Sequence, residues 1–143
     1  MRVTVTAIDQ ETAVLVRGTS AFGWRGKFGC PVVTGDAVFI PARGRENDLR
    51  VGTTLSVEPG HESVSQISIK ASAAADSMKP LDNPGDYLVQ GKVVSCAPKG
   101  VVRVCVRDFV FELQRDELEG LEPAINDSIQ FALQGLSFWD KGE

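Results

Sequence analysis

The chain has 143 residues, 43% of them hydrophobic and 24% charged, and a net charge of −4. That length holds one ordinary domain or two very small ones, and the composition is that of a soluble globular protein. It excludes a membrane helix, since no apolar run approaches the ~20 residues needed, and it lacks the basic excess of a general polyanion binder.

The opening segment, "MRVTVTAIDQ", alternates apolar and polar residues. This predicts a strand and lacks the apolar core of a secretory leader. A cytoplasmic protein is the expectation.

"SAFGWRGKFGC", residues 20–30, follows. Phe22, Trp24, Gly26 and Phe28 share one parity, and Arg25 and Lys27 share the other. Successive side chains of a strand point to opposite faces, so the stretch predicts an aromatic inner row and a basic outer row. Large aromatics in strands usually pack, so Trp24 and Phe28 are expected in the core, with Phe22 at the strand entrance. Arg17, Arg43, Arg45 and Arg50 are candidates to extend the basic face. A solvated loop also accounts for the last three, because "ARGRENDLR" carries Glu46 and Asp48 as well.

His61 is the only histidine and lies in the turn-like "EPGHES". A solvated loop imidazole is the expectation there, not a catalytic base. Cys30, Cys96 and Cys105 are far apart and odd in number. They predict free thiols, not a disulfide framework or zinc site.

Residues 71–85, "ASAAADSMKPLDNPG", are poor in large apolar side chains and break the alternation on both sides. They are expected to connect two units, 1–70 and 86–143. Within them, "SAAADSM" could form a short helical turn.

The second half yields a register. In "VVRVCVRDFVFELQ", Val102, Val104 and Val106 alternate with polar residues, and the phase then flips to Phe109, Phe111 and Leu113. A hairpin turning at Arg107-Asp108 sets Val106 opposite Phe109, Val104 opposite Phe111 and Val102 opposite Leu113. It also sets Arg103 against Glu112, an opposite-charge pair. A bulged continuous strand is the alternative, because tight turns prefer Asn-Gly or Asp-Gly. The preceding strand, "DYLVQGKVVSC", is expected to place Gly91 opposite Val106, Val93 opposite Val104 and Ser95 opposite Val102. "RDELEGLEPAIND" predicts one helical turn, and "SIQFAL" and "GLSFWD" two final strands.

The first half echoes this order weakly. Val14 and Val16 precede Arg17-Gly18 as Val104 and Val106 precede Arg107-Asp108, and "GDAVFI" resembles "NDSIQF". The expected fold is all-β, two small barrels in tandem with little helix. The order of elements resembles an OB-fold, with an SH3-like barrel as the alternative.

Catalytic and nucleotide motifs fail. Gly91-Lys92 lacks the P-loop spacing and the following Ser or Thr, and no Ser-His-Asp set assembles around one loop histidine. A non-enzyme without a cofactor or metal is expected. Charge divides unevenly: residues 1–70 hold 8 basic and 7 acidic side chains, and residues 71–143 hold 7 and 12. Glu112, Asp116, Glu117, Glu119 and Glu122 concentrate that surplus. The expected function is therefore a non-catalytic binding protein, of inhibitor or immunity type, engaging a basic protein partner through this acidic face. An acidic turn that only aids solubility is the plain alternative. Single-stranded nucleic-acid binding on the N-terminal barrel, through Arg17, Arg25, Lys27, Arg43 and Arg45, is the second function considered. It is weakened because the basic and aromatic rows alternate, and so fall on opposite faces.

Overall fold

The computed structural model describes residues 1–70, 75–97 and 100–142. Among them eleven strands form two sheets, so the protein is all-β. The strands are β1 (Arg2–Leu15), β2 (Phe22–Gly29), β3 (Thr34–Ile40), β4 (Thr54–Gly60), β5 (Ser63–Lys70) and β6 (Ser77–Pro80), then β7 (Tyr87–Cys96), β8 (Val102–Val106), β9 (Phe109–Leu113), β10 (Ser128–Gln134) and β11 (Ser137–Asp140). Among the described residues helix is confined to two 3-10 turns, Glu46–Asp48 and Arg115–Leu118.

The first sheet closes into a five-stranded barrel in the order β1-β2-β3-β11-β4. β11 runs parallel to β3 and antiparallel to β4. The second sheet has the order β5-β10-β7-β8-β9, with β6 added beside β7. Each half thus places its last strand in the other half's sheet: β5 lies beside β10, and β11 lies inside the first barrel.

This exchange is one continuous ribbon. The pairing runs in a single register from Asp140 opposite Val57, through Ser137 opposite Gly60, to Gln134 opposite Ser63 and Ala132 opposite Ser65. At the crossover Glu62 N donates to the Gln134 carbonyl at 2.9 Å. The ladder slips only beyond Ser65, where Gln66 takes a φ of 54°.

The β8–β9 hairpin has the expected register at every position, including Val104 opposite Phe111 and Arg103 opposite Glu112. The Arg103–Glu112 ion pair closes at 3.1 Å. Arg107 accommodates the tight turn with a φ of 53°. The β7–β8 expectation is corrected in part. Val93 does face Val104, but a bulge follows, so Ser95 faces Arg103 and Cys96 faces Val102. Val94 faces outward and is 49% exposed, and the bulge moves Ser95 off the inner face. Gly91 is required by close approach, since a Cβ there would meet the Cys105 carbonyl oxygen and the Val106 side chain.

In the expected connector 71–85, residues 71–74 lie outside the described residues. Ser77 and Met78 belong to β6, which corrects the expected helical turn. Met78 is buried, opposite Val89.

A single hydrophobic core runs through both sheets. Phe138 of β11 joins them. Its ring meets Phe28 edge-on at 4.7 Å between centroids, Phe39 at 5.9 Å and Phe109 of the second sheet at 6.1 Å. Such aromatic contacts add to the area they bury. Phe28 is a core residue as expected, while Trp24 is partly buried against the core and Phe22 is exposed.

Candidate functional site

A groove of about 840 Å³ lies on the outer face of the first barrel. Its origin is a long irregularity in β1. Ile8 pairs with Gly26 and Ala13 with Trp24, so Asp9–Thr12 bulge away opposite Arg25 alone. The outward residues of β2 and β3 then form a floor, with Arg25 across from Val38 and Lys27 across from Asp36. The crossover supplies a second wall, Glu62, Ser63 and Gln134–Leu136, and Pro84–Asp86 completes the rim.

The groove is mixed in character. Ile8, Val14, Val38, Pro84 and Leu136 give it apolar surface. Two cations, Arg25 and Lys27, face four carboxylates, Asp9, Asp36, Glu62 and Asp86. Lys27 and Asp36 pair at 2.9 Å. The Asp86 carboxylate accepts from Gly135 N at 3.2 Å, and Ser63 donates to the Gln134 side chain at 3.1 Å. Arg25 and Glu62 make no ion pair among the described residues.

Beneath the floor the buried Tyr87 hydroxyl donates to the Asp36 carbonyl at 2.7 Å. Burial pushes the phenol well above its usual range. The nearby Asp36 charge adds to this shift, and the hydrogen bond opposes it. The hydroxyl therefore stays protonated and keeps holding β3.

The acidic turn is firmly anchored. Gln114 N donates to Glu117 Oε1 at 3.0 Å, half of a reciprocal capping box. Glu117 Oε2 lies 2.9 Å from His61 Nε2. Arg115 donates to the Gly100 carbonyl at 3.2 Å, to Cys96 Sγ at 3.3 Å and to the Ala97 carbonyl. One expectation is corrected here. The His61 side chain is only 9% exposed, so it is no solvated loop imidazole. Glu117 is half-buried against it, while Asp116, Glu119 and Glu122 point to solvent. Glu112 is exposed but paired with Arg103.

The expected basic face is divided. Arg17 and Arg43 are exposed, but Lys27 is neutralised by Asp36 and Arg45 by Asp48 at 2.9 Å. The Asp48 hydrogen bond, with the Asp140 charge behind it, raises the Arg45 guanidinium further above its usual value. Arg50 Nε donates to the Asn47 carbonyl at 2.9 Å.

Sequence reasoning singled out Arg25 and Lys27 but missed Asp36, Glu62, Asp86 and Gln134. They come from four separate segments: Asp36 joins through the β2–β3 pairing, and Glu62, Asp86 and Gln134 through the exchange of strands. Cys30, Cys96 and Cys105 are free thiols. Burial, and after it the charges of Asp76 and Asp108, raise the Cys105 thiol. Among the described residues no cluster of His, Cys, Asp or Glu is arranged to hold a metal ion, and no helix is long and apolar enough to cross a membrane.

No protein family, curated protein or solved structure matches this chain.

Proposed function

We propose that this chain is a non-catalytic protein-binding module that seats an extended segment of a protein partner in the β2–β3 groove. The observation that carries the proposal is the groove's mixed lining: apolar surface from Ile8, Val14, Val38 and Leu136, with Arg25 on one strand and Glu62 on the crossover. A polypeptide offers apolar side chains and both signs of charge, and so matches such a surface. A phosphate backbone would meet four carboxylates against two cations, which disfavours nucleic acid there. Asp116, Glu119 and Glu122, on a turn held rigid by Glu117 and Arg115, are assigned the steering of a basic partner. His61 and Glu62 link the two surfaces, one reaching the acidic turn and the other the groove.

The architectural part of the proposal is two OB-like units with exchanged fifth strands. With the short β6 set aside, each half runs strand, strand, strand, 3-10 turn, strand, strand. The closed barrel has the third and fifth positions paired in parallel, as OB-folds do. A cytoplasmic setting belongs to the same reading, and three free cysteines fit a reducing compartment.

The test is site-specific photo-crosslinking in the native source. A photoreactive residue at Val14, in the groove, should capture a protein that the same residue at Val110, on the second sheet, does not. The double change Arg25→Glu with Glu62→Arg should abolish that adduct. Capture of nucleic acid from Val14, or of the same protein equally from both positions, would overturn the assignment.

A further inference from the structure

We propose that the mouth of the first barrel, at Trp24, is a binding site for a guanine ring. This site is separate from the groove and independent of the protein-binding reading. A pocket of about 430 Å³ opens there, lined by Gln10, Trp24, Glu46, Asn47, Leu49 and Arg50. That volume suits a small ring ligand. Trp24 sits on β2 between Ala13 and Phe39 and is only partly buried against the core. Leu49, 4% exposed, backs the pocket. An indole beside an aliphatic wall is a stacking platform for a flat ring.

The walls are held in place before any ligand arrives. Gln10 Nε2 donates to the Leu49 carbonyl at 3.0 Å, which ties the β1 bulge to the pocket. Arg50 Nε donates to the Asn47 carbonyl at 2.9 Å, leaving the terminal nitrogens of the guanidinium as further donors. Arg45 and Asp48 pair at 2.9 Å across the 3-10 turn that carries Glu46 and Asn47. The Gln10 and Arg50 side chains are thereby partly ordered before binding, which favours affinity.

The polar chemistry selects the ring. A carboxylate accepts two adjacent N–H groups, and Glu46 is exposed at the rim with its Oε1 in only a long 3.4 Å contact to Gly44 N. Guanine presents N1–H and its exocyclic amine side by side, and carries O6 and N7 as acceptors for Arg50 or the Asn47 amide. Adenine sets a lone pair at N1 beside its amine, and that lone pair opposes a carboxylate. Only one cation lines the pocket, and Glu46 balances it. Recognition therefore rests on the ring, not on a phosphate.

The probe is guanosine, followed through the two tryptophan indole N–H signals of the isotope-labelled protein. Trp139 is the internal reference, because it lies outside the pocket and its Nε1 donates to Ser137 Oγ at 3.2 Å. Guanosine should shift the Trp24 signal saturably and leave the Trp139 signal in place. Adenosine should need about tenfold more. Glu46→Gln, at an exposed position, should leave the spectrum of the free protein folded and weaken guanosine about tenfold. A thymidine oligonucleotide with one central guanine identifies the source of the ring. Tighter binding than guanosine means that a single strand delivers it, and equal or weaker binding means a free nucleoside. An unmoved Trp24 signal at millimolar guanosine, equal affinity for the two nucleosides, or an unaltered affinity in Glu46→Gln would overturn the proposal.

Discussion

The Tyr87 hydroxyl fills the space that a side chain on Gly35 would need. A Cβ at Gly35 would run into the phenol oxygen and ring carbons, so the glycine and the tyrosine are one structural unit. The hydroxyl then reaches past Gly35 to the Asp36 carbonyl.

Gly35→Ala should therefore destabilise the fold by about 1–3 kcal/mol through overpacking, measured by urea unfolding. Tyr87→Phe, which keeps the ring, should cost about 1 kcal/mol for the lost hydrogen bond.

The same tyrosine makes a pH prediction. The folded phenol is raised, so between the unfolded value near 10 and the folded one the unfolded chain releases a proton that the folded chain retains. Stability contributed by Tyr87 is thus fully present below the unfolded value and falls as pH rises beyond it. This is the only tyrosine in the chain, so tyrosinate absorbance reads it alone. The folded protein should show none where a model phenol is already ionised. Tyr87→Phe should flatten the alkaline fall in stability.

Glu117 serves two partners at once, the Gln114 amide and His61. Glu117→Ala removes both contacts and should cost about 1–3 kcal/mol, because each involves a carboxylate in a half-buried place. Glu117→Gln keeps the oxygen that caps Gln114, and so should cost less. Thermal unfolding of the two variants side by side checks the order.

Phe138→Ala should cost about 3–5 kcal/mol, the usual range for a large aromatic truncated in a core. The ring touches aromatics of both sheets, so both should melt together. Near-ultraviolet circular dichroism and amide exchange in the second sheet should follow one transition. Loss of the first barrel alone would show that the core is divided.

Arg107 holds a left-handed conformation at the first position of a two-residue turn. Arg107→Gly should stabilise the protein by about 0.5–1 kcal/mol, since glycine takes that conformation without steric cost. Denaturant midpoints decide it.

The β8–β9 hairpin was readable because everything that sets it is local. Three valines, three large apolar residues and one opposite-charge pair agree on a single register. The bulge at Val94 left only a short mark: in "KVVSC" the Val93-Val94 doublet and the polar Ser95 break the alternation, over too few residues to tell a bulge from a strand end. The buried state of His61 depends on Glu117, 56 residues away, and no nearby pattern signals such a contact. The groove was half legible. Arg25 and Lys27 show their outward parity within one strand, whereas Glu62, Asp86 and Gln134 join them only through pairings that cross the whole chain.

The ribbon has a consequence for how the molecule is made. β3 and β4 remain unclosed until residues 137–140 are available, since β11 is what joins them. On the ribosome the N-terminal seventy residues therefore wait with two bare strand edges, a state open to mispairing. Closure of the first barrel must follow synthesis of β11 and is slowed by pairing over long sequence separations. It also follows that a cut within 81–85, beyond β6, should yield two fragments that are each incomplete yet mutually completing. Made separately, they should remain unstructured and recover the native fold only on mixing. The same cut chain could then serve as a pair of complementing halves.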